Sequence, residues 1–338
     1  MRIVILLSFA LLATGCTFPG QPSYHLAKTI PVSGDGSWDY VKVDQVGRRA
    51  YVTHETQVEV LDADSLKHIG VIGNLHGVHG IGFAQGPGRG FISNGKSDSV
   101  TIFDLKTLAV LGEVKVGKKP DALSYDNFTE RLFAFNGESN SATVIDGKSG
   151  KVVSTIALGG GPEFAASDHK GHVFVNLEDT SETLMLDAAK FTVMHRWKVA
   201  PGASPSSLAI DRVKHRLFIG CRNRLLIVMN ADNGKVIASL PIGDHVDATA
   251  FDPETHQVIS STGDGALTII AQDDPDHYQI VQTLATPKGS KTFGLDAKTH
   301  KLFVPAADFG PAQRPSKDNP KGRPKVLPGT FRVLVFEP

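Results

Sequence analysis

The chain is built from a unit of about 40 residues that recurs seven times. Each unit contains short apolar runs separated by turns in which Asp, Asn and Gly are frequent, a pattern typical of β-strands joined by tight connections. The second run of each unit carries an aromatic or aliphatic anchor. These anchors are Tyr51, Phe91, Phe133, Phe174, Phe218, Ile259 and Phe303. One unit cannot bury its own faces, so the copies have to stack against one another.

The composition of the runs decides between the architectures that use repeats of this length. Solenoids with a similar period are helical, whereas these runs are short and rich in β-branched and aromatic residues. The sequence therefore predicts an all-β fold, a seven-bladed β-propeller with four-stranded blades. Only six candidate fourth strands follow the anchors, and the missing one is found at residues 26–32. We expect this N-terminal strand to complete the last blade and to remove the exposed edges of an open ring.

The charge of the chain bears on its partners. Its 338 residues include 35 Lys and Arg and 35 Asp and Glu, so the positive and negative charges balance. A balanced charge does not favour nucleic acid or an anionic membrane surface as a partner. We expect one closed domain over residues 25–338, monomeric, that binds a small ligand or a protein partner.

The first 15 residues resemble a signal peptide rather than part of the fold. Arg2 precedes an apolar run at residues 3–13, which is too short to span a bilayer. The junction of Gly15 and Cys16 resembles the lipobox of bacterial lipoproteins, which predicts cleavage before Cys16 and lipidation of its thiol. An ordinary cleaved signal peptide is the alternative. Residues 16–24 would form a tether. Because Thr17 stands where an inner-membrane retention signal has Asp, the sequence favours an outer-membrane lipoprotein of the periplasm.

The repeats resemble those of the YVTN-repeat β-propellers, the YncE-like family of bacterial periplasmic and surface proteins. The name-giving tetrapeptide is nearest at residues 51–54, where His54 replaces the Asn, and at residues 91–94, which keep it as Asn94. The turns at residues 146–151 and 230–235 resemble the Asp-x-x-x-Gly-Lys turn of the family. The resemblance covers about residues 25–338 and implies an exported propeller that binds a ligand or partner. It supplies no catalytic residues, because the repeat motif is structural.

A turn precedes the anchor of every unit, and its position is occupied by Asp44, Ala84, Asp126, Asp168, Asp211, Asp252 and Asp296. A polar residue stands five positions before this turn position in every unit, although the run that follows it is apolar. These residues, which we call the mouth ring, are Asp39, His79, Asp121, Glu163, Ser206, Asp247 and Lys291. The innermost strands of a propeller all start at the same face. We therefore expect the mouth ring to surround one opening of the central channel and to bind a ligand there. A merely solvated entrance is the alternative.

The carboxylates of the mouth ring also suit a hard cation such as Ca²⁺. Propeller lactonases, which this arrangement resembles, hold a central cation with Glu, Asn and Asp side chains from different blades. The cation polarises a carbonyl and activates water. The corresponding ligands in this chain would be Glu163, Asp247, Asn136 and Asp121. The sequence thus leaves two functions open, a non-catalytic binding propeller and a metal-dependent, lactonase-like hydrolase.

The seventh unit departs from the repeat at residues 305–330, which we call the arm. Other units connect the same two strands in a few residues, whereas the arm is long and rich in Pro, Lys and Arg. Long loops in compact domains are usually functional or disordered. Phe309, Val326 and Leu327 offer apolar contacts that a solvated linker would not need. We therefore expect the arm to cover the mouth ring or to dock a partner.

Overall fold

The computed structural model describes residues 23–34, 36–315 and 322–338. The predicted signal peptide at residues 1–15 and the predicted lipidation site Cys16 lie outside these residues. The described chain forms 28 strands, arranged as seven antiparallel sheets of four strands each. The prediction of an all-β, seven-bladed propeller is confirmed. In the described ranges, no helix is long and apolar enough to cross a membrane.

Each blade places one strand beside the central channel and pairs a second strand with it. The innermost strands are β2 (Trp38–Asp44), β6 (Val78–Ala84), β10 (Pro120–Asp126), β14 (Pro162–Ser167), β18 (Pro205–Asp211), β22 (Val246–Asp252) and β26 (Gly294–Asp296). The second strands are β3 (Arg49–His54), β7 (Arg89–Asn94), β11 (Arg131–Asn136), β15 (His172–Leu177), β19 (Arg216–Cys221), β23 (Gln257–Thr262) and β27 (Lys301–Ala306).

Two more strands extend each blade outward. The third strands are β4 (Gln57–Asp62), β8 (Ser99–Asp104), β12 (Ser141–Asp146), β16 (Glu182–Asp187), β20 (Leu225–Asn230), β24 (Ala266–Asp274) and β28 (Arg332–Glu337). The outer strands are β5 (His68–Ile72), β9 (Val110–Lys115), β13 (Val152–Ala157), β17 (Thr192–Lys198), β21 (Val236–Pro241), β25 (His277–Ala285) and β1 (His25–Pro31).

Burial is greatest in the middle strands, because neighbouring blades cover both of their faces. The anchors Phe91, Phe133 and Phe218 are completely buried, whereas Val110 of an outer strand is half exposed. Each inner strand contacts the inner strands of the two adjacent blades, and β2 contacts β26. The apolar side chains of the repeat therefore form a core between blades that runs around the whole ring.

The residue that ends an inner strand also ties neighbouring blades together. Asp44 accepts a hydrogen bond from Gln85 Nε2 of the next blade at 2.7 Å. Asp126 accepts one from Ser167 Oγ of the fourth blade at 2.7 Å. The fourth inner strand ends on Ser167, so Asp168 follows the strand instead of ending it. A side-chain hydrogen bond at the end of the inner strands thus fixes the orientation of two neighbouring blades.

Two clasps close the ring. Strand β1 pairs with β28 from His25 opposite Glu337 to Pro31 opposite Arg332, as the sequence predicted. The second clasp joins the first blade to the last, since Arg48 donates to both carboxylate oxygens of Asp296 at 2.6 and 2.5 Å. The Asp296 side chain is fully buried. Breaking an ion pair in such a setting leaves an uncompensated buried charge.

Candidate functional site

The structure places the predicted mouth ring at one end of the channel. Six members are the second residue of their inner strand, and Lys291 lies three residues before β26. The first residue of the inner strand pairs with the last residue of the second strand, as in Trp38 with His54 and Pro120 with Asn136. This shared register brings the ring residues to one level.

Blades one, two and three contribute one side chain each to the tightest part of the ring. His79 Nδ1 lies 2.6 Å from Asp39 Oδ2 and 4.0 Å from Asp121 Oδ1. These three residues offer potential metal-binding atoms that all lie within 4.8 Å of one another. Gly95 makes room for the imidazole, because a Cβ there would lie 2.7 Å from His79 Nε2. The imidazole is therefore fixed against one carboxylate and beside a second.

Lys291 bridges the other side of the ring. Its ammonium donates to Asp247 of blade six in a very short contact and lies 3.8 Å from Asp39 Oδ1 of blade one. Burial would lower the pKa of Lys291, but the charges of Asp247 and Asp39 outweigh it and raise this pKa. Burial raises the pKa of Asp247 even though Lys291 opposes the shift. The lysine therefore remains charged and neutralises only part of the ring.

Glu163 belongs to a third group, whose other members, Glu178 and Arg222, are not among the residues predicted from the sequence. Burial, followed by a side-chain hydrogen bond with Glu178, raises the pKa of Glu163 to about 9. Glu178 in turn pairs with Arg222 at 2.6 Å. Glu178 and Arg222 each follow the last residue of a second strand. That position was the available signal, because the loop after the second strand returns to the mouth of the channel.

Two predicted residues are bound to other parts of the protein. Ser206 is buried and its hydroxyl donates to the backbone oxygen of Val246 at 2.7 Å, so it stabilises the strands rather than facing a ligand. Asn136 is completely buried, and its amide nitrogen binds the hydroxyls of Ser141 and Thr143 at 3.2 and 3.0 Å. Of the four predicted metal ligands, only Asp121 belongs to the close cluster formed with Asp39 and His79.

The mouth ring holds more carboxyl groups than cations, and the crowding of these carboxyl groups opposes their ionisation. Burial and the charge of Asp39 raise the pKa of Asp121 to about 7. Asp121 Oδ1 is buried and accepts no hydrogen bond from the described residues. Burial would lower the pKa of His79, but its hydrogen bond to Asp39 and the nearby carboxylates raise it. A cation at this opening would relieve the repulsion among the carboxylates.

An aromatic pair lies one residue below the ring. Tyr40 of blade one stacks on Phe164 of blade four with ring centroids 5.2 Å apart. Blades one and four stand on opposite sides of the channel, so this pair crosses it. Both rings line a cavity of about 460 Å³ that continues along the inner strands. The aromatic pair forms the floor of the charged mouth.

The arm lies beside the mouth ring. Phe309 pairs with Val326 in an isolated β-bridge, and its ring centroid lies 5.9 Å from that of Trp38. Trp38 directly precedes Asp39. Phe309 also fills the space above Gly289, where a Cβ would lie 2.8 Å from the phenyl ring. The described part of the arm is thus attached to the rim between blades seven and one.

Similarity to known proteins is found in the fold and not in the sequence. No protein-family model matches the chain, and no curated protein matches it. A solved chain of hydrazine synthase from Kuenenia stuttgartiensis is similar with a TM-score of 0.69 and 16% identity, over 81% of this chain and 94% of that one. A chain of the mitotic checkpoint complex is similar with a TM-score of 0.74 and 14% identity, over 99% of both chains. At such identities the likeness concerns architecture alone, and the protein is a seven-bladed β-propeller with an acidic channel mouth.

Proposed function

We propose that this protein is an exported, lipid-anchored β-propeller of the bacterial cell envelope that binds a positively charged ligand or partner segment at the mouth ring. The lipobox-like junction at Cys16 and the resemblance of the repeats to the YVTN propellers support the location. The excess of carboxyl groups over cations at the channel mouth is the observation that carries the choice of ligand.

The charges of the mouth specify the chemistry of the ligand. Five acidic side chains stand at the mouth, whereas the basic groups Lys291, Arg222 and His79 are each already paired with a carboxylate. The five are Asp39, Asp121, Glu163, Glu178 and Asp247. The raised pKa values of Asp121 and Glu163 mean that these groups resist ionisation in the free protein. An ammonium or guanidinium group placed among them would favour the ionised forms. Binding would therefore release protons and strengthen as the pH rises.

The arm supports the same reading. Its Phe309 is partly exposed yet packed on Trp38, next to a ring carboxylate. An apolar element beside a charged site excludes water and lowers the local dielectric, which strengthens charge recognition. We propose that the arm forms one wall of the ligand site.

The proposal predicts that a fluorescently labelled tetralysine peptide binds the protein at low ionic strength near pH 8. The double variant Asp121→Asn, Glu163→Gln removes two carboxylates with little change in shape, and we expect its dissociation constant to be at least about tenfold higher. Phe309→Ala should weaken the same binding by a smaller factor. Fluorescence anisotropy measures each constant.

A control separates the mouth from general charge. Glu113→Gln removes an exposed carboxylate on outer strand β9 and should leave peptide binding unchanged. The proposal of a cation-selective mouth would be excluded if the wild type and the double variant bound tetralysine equally well, or if the wild type bound a labelled tetraglutamate peptide as tightly as tetralysine.

A metal-dependent hydrolase of the lactonase type is a second candidate, which the close cluster of Asp39, His79 and Asp121 favours. Two carboxylates and one imidazole within 4.8 Å of one another match the donor chemistry of a divalent cation. Asp121 Oδ1, which lacks a hydrogen-bond partner, would be satisfied by such an ion. When bound, the cation would polarise a lactone carbonyl and activate water. The chain's own part is to hold the ion at the mouth.

Metal content decides this second candidate. A catalytic cation predicts stoichiometric metal by elemental analysis and an increase of the melting temperature of several degrees at about millimolar Ca²⁺, following the mass action of a bound ligand. Asp39→Asn should abolish both effects. The metal-dependent hydrolase is excluded if the purified protein contains no metal, if Ca²⁺ does not change its melting temperature and if it hydrolyses no lactone. The binding propeller then remains as the function.

A further inference from the structure

One residue breaks the pattern of the inner strands inside the channel. In every blade, the inner-strand residue that pairs with the anchor of the second strand occupies the same level. Six of these seven residues are small, and the seventh is a lysine: Gly82, Ser124, Ala166, Ala209, Ala250, Gly294 and Lys42. All seven line the central cavity.

The small residues have a packing reason. Neighbouring blades approach closely here, since a Cβ on Gly82 would lie 2.7 Å from Leu132 Cδ1 of blade three and one on Gly294 would lie 2.8 Å from Val41 Cγ1 of blade one. A long side chain at this level has no room between two blades. Lys42 is nevertheless exposed to the cavity that it lines, so its side chain extends into the channel, where the walls around it still desolvate the ammonium.

Lys42 faces a second cation across the channel. Arg212 of blade five lines the same cavity and is also accessible from it. Burial and the charge of Arg212 lower the pKa of Lys42. Arg212 donates to the backbone oxygen of Ser167 at 2.9 Å, and neither cation makes an ion pair within the part of the chain that the structure describes.

A histidine completes the group. His169 of blade four lines the same cavity, and its Nδ1 is buried without a hydrogen-bond partner among the described residues. Burial and the charge of Arg212 lower the pKa of His169 to about 4, so its ring is neutral at pH 7 and one nitrogen can donate a hydrogen bond. Two carboxylates stand near these donors, and both already have partners. Asp44 accepts hydrogen bonds from the backbone nitrogens of residues 46 and 47 and from Gln85. Asp168, whose charge acts on Arg212, pairs with His172.

We propose that Lys42, Arg212 and His169 form a binding site for a small oxyanion, such as phosphate or a carboxylate, in the central channel toward the opening opposite the mouth ring. The planar guanidinium of Arg212 presents parallel donors that match two oxygens, and the Lys42 ammonium adds a point charge from the opposite wall. Burial among the channel walls penalises both cations, neither of which has an ion pair among the described residues, and a bound anion would offset that cost. This site is separate from the mouth ring and does not depend on the function proposed for it.

The test uses inorganic phosphate as the probe. We expect about 20 mM phosphate to raise the melting temperature of the purified protein by about 3 °C over sodium chloride of equal ionic strength. Succinate at the same concentration distinguishes a carboxylate ligand from a phosphate. Stabilisation by either oxyanion but not by chloride supports the site.

The variant Lys42→Met is expected to change two quantities, the dissociation constant for phosphate and the melting temperature without phosphate. We expect its dissociation constant for phosphate, from calorimetric titration, to rise at least about tenfold, because a charge-assisted hydrogen bond is lost. In the absence of phosphate it should melt at or above the wild-type temperature, because an uncompensated cation has been replaced by an apolar chain of similar length. Arg212→Gln should weaken phosphate binding in the same way, which keeps the test valid if one variant folds poorly.

Lys67→Met is the matched control, since Lys67 is an exposed lysine of the same blade, in the turn before β5. It should bind phosphate as the wild type does. Phosphate binding that is unchanged in Lys42→Met and Arg212→Gln, or a response to chloride as large as that to phosphate, would overturn the oxyanion site.

Discussion

Removal of residues 23–32 is expected to abolish the cooperative thermal unfolding of the protein. Tyr24, Ile30 and Val32 are buried in the two clusters of the closing blade. Burying each such side chain contributes about 1.5–3 kcal/mol, so their loss approaches the total of about 5–15 kcal/mol that stabilises a folded protein. The deletion also exposes the edge of β28, which invites association between molecules.

Circular dichroism melting and size-exclusion chromatography of proteins that begin at residue 23 or at residue 33 measure this effect. Leu26→Ala is the control, because Leu26 is about half exposed and should change the melting temperature little. Ile30→Ala should be destabilised by about 2–4 kcal/mol. A shortened protein that melts cooperatively at the temperature of the longer one would show that β1 does not close the ring.

The second large effect is on the pH dependence of stability. Asp121 has a pKa of about 7 in the folded protein against 3.8 as its ordinary value. An acid whose pKa is raised by folding binds more protons in the folded state, so its contribution to stability falls as the pH rises from about 4 to 7. The Asp121 side chain is 22% exposed. One pKa unit corresponds to about 1.4 kcal/mol, so full ionisation of Asp121 costs up to about 4 kcal/mol of unfolding free energy.

Asp121→Asn cannot ionise and should therefore be more stable than the wild type near pH 8, by about 2–4 kcal/mol, but not near pH 4. Urea unfolding in EDTA-treated buffer at a series of pH values measures the difference. Glu113→Gln, on the outer strand, should follow the wild-type curve. If the free energy of unfolding of Asp121→Asn runs parallel to that of the wild type from pH 4 to pH 8, the pKa of Asp121 is not raised in the folded protein.

Together with the peptide experiment, this variant separates function from folding. Asp121→Asn is expected to gain stability at alkaline pH and to lose affinity for tetralysine. Replacing a residue that serves only the fold would lower both the stability and the affinity for tetralysine, or would change neither. Opposite signs for stability and binding are the usual mark of side chains retained for function at a cost in stability.

The sequence by itself determined the blades, their number and the way the ring closes. The alternation and spacing of the anchors, such as Phe133 and Phe218, are local properties of a strand and repeat in each unit. It also located the mouth ring, because a constant offset from the turn gives a constant height along parallel inner strands. Asp39, His79 and Asp121 come together for this reason.

Only the tertiary structure decided which side chains at the channel face one another. Asn136 and Ser206 are at the predicted level but bind neighbouring strands, and Glu178 with Arg222 joins the site from adjacent blades. Such outcomes depend on rotamers and on available hydrogen-bond partners, which the repeat does not encode.

Pairs of residues on opposite walls of the channel illustrate the same limit. Tyr40 reaches Phe164 and Lys42 faces Arg212, although each pair is separated by more than a hundred residues in the chain. The curvature of the closed ring sets these separations, and curvature is a sum over the packing of all seven blades. The bulky residues Tyr40 and Lys42 stand out in the sequence only when the register of every blade is known.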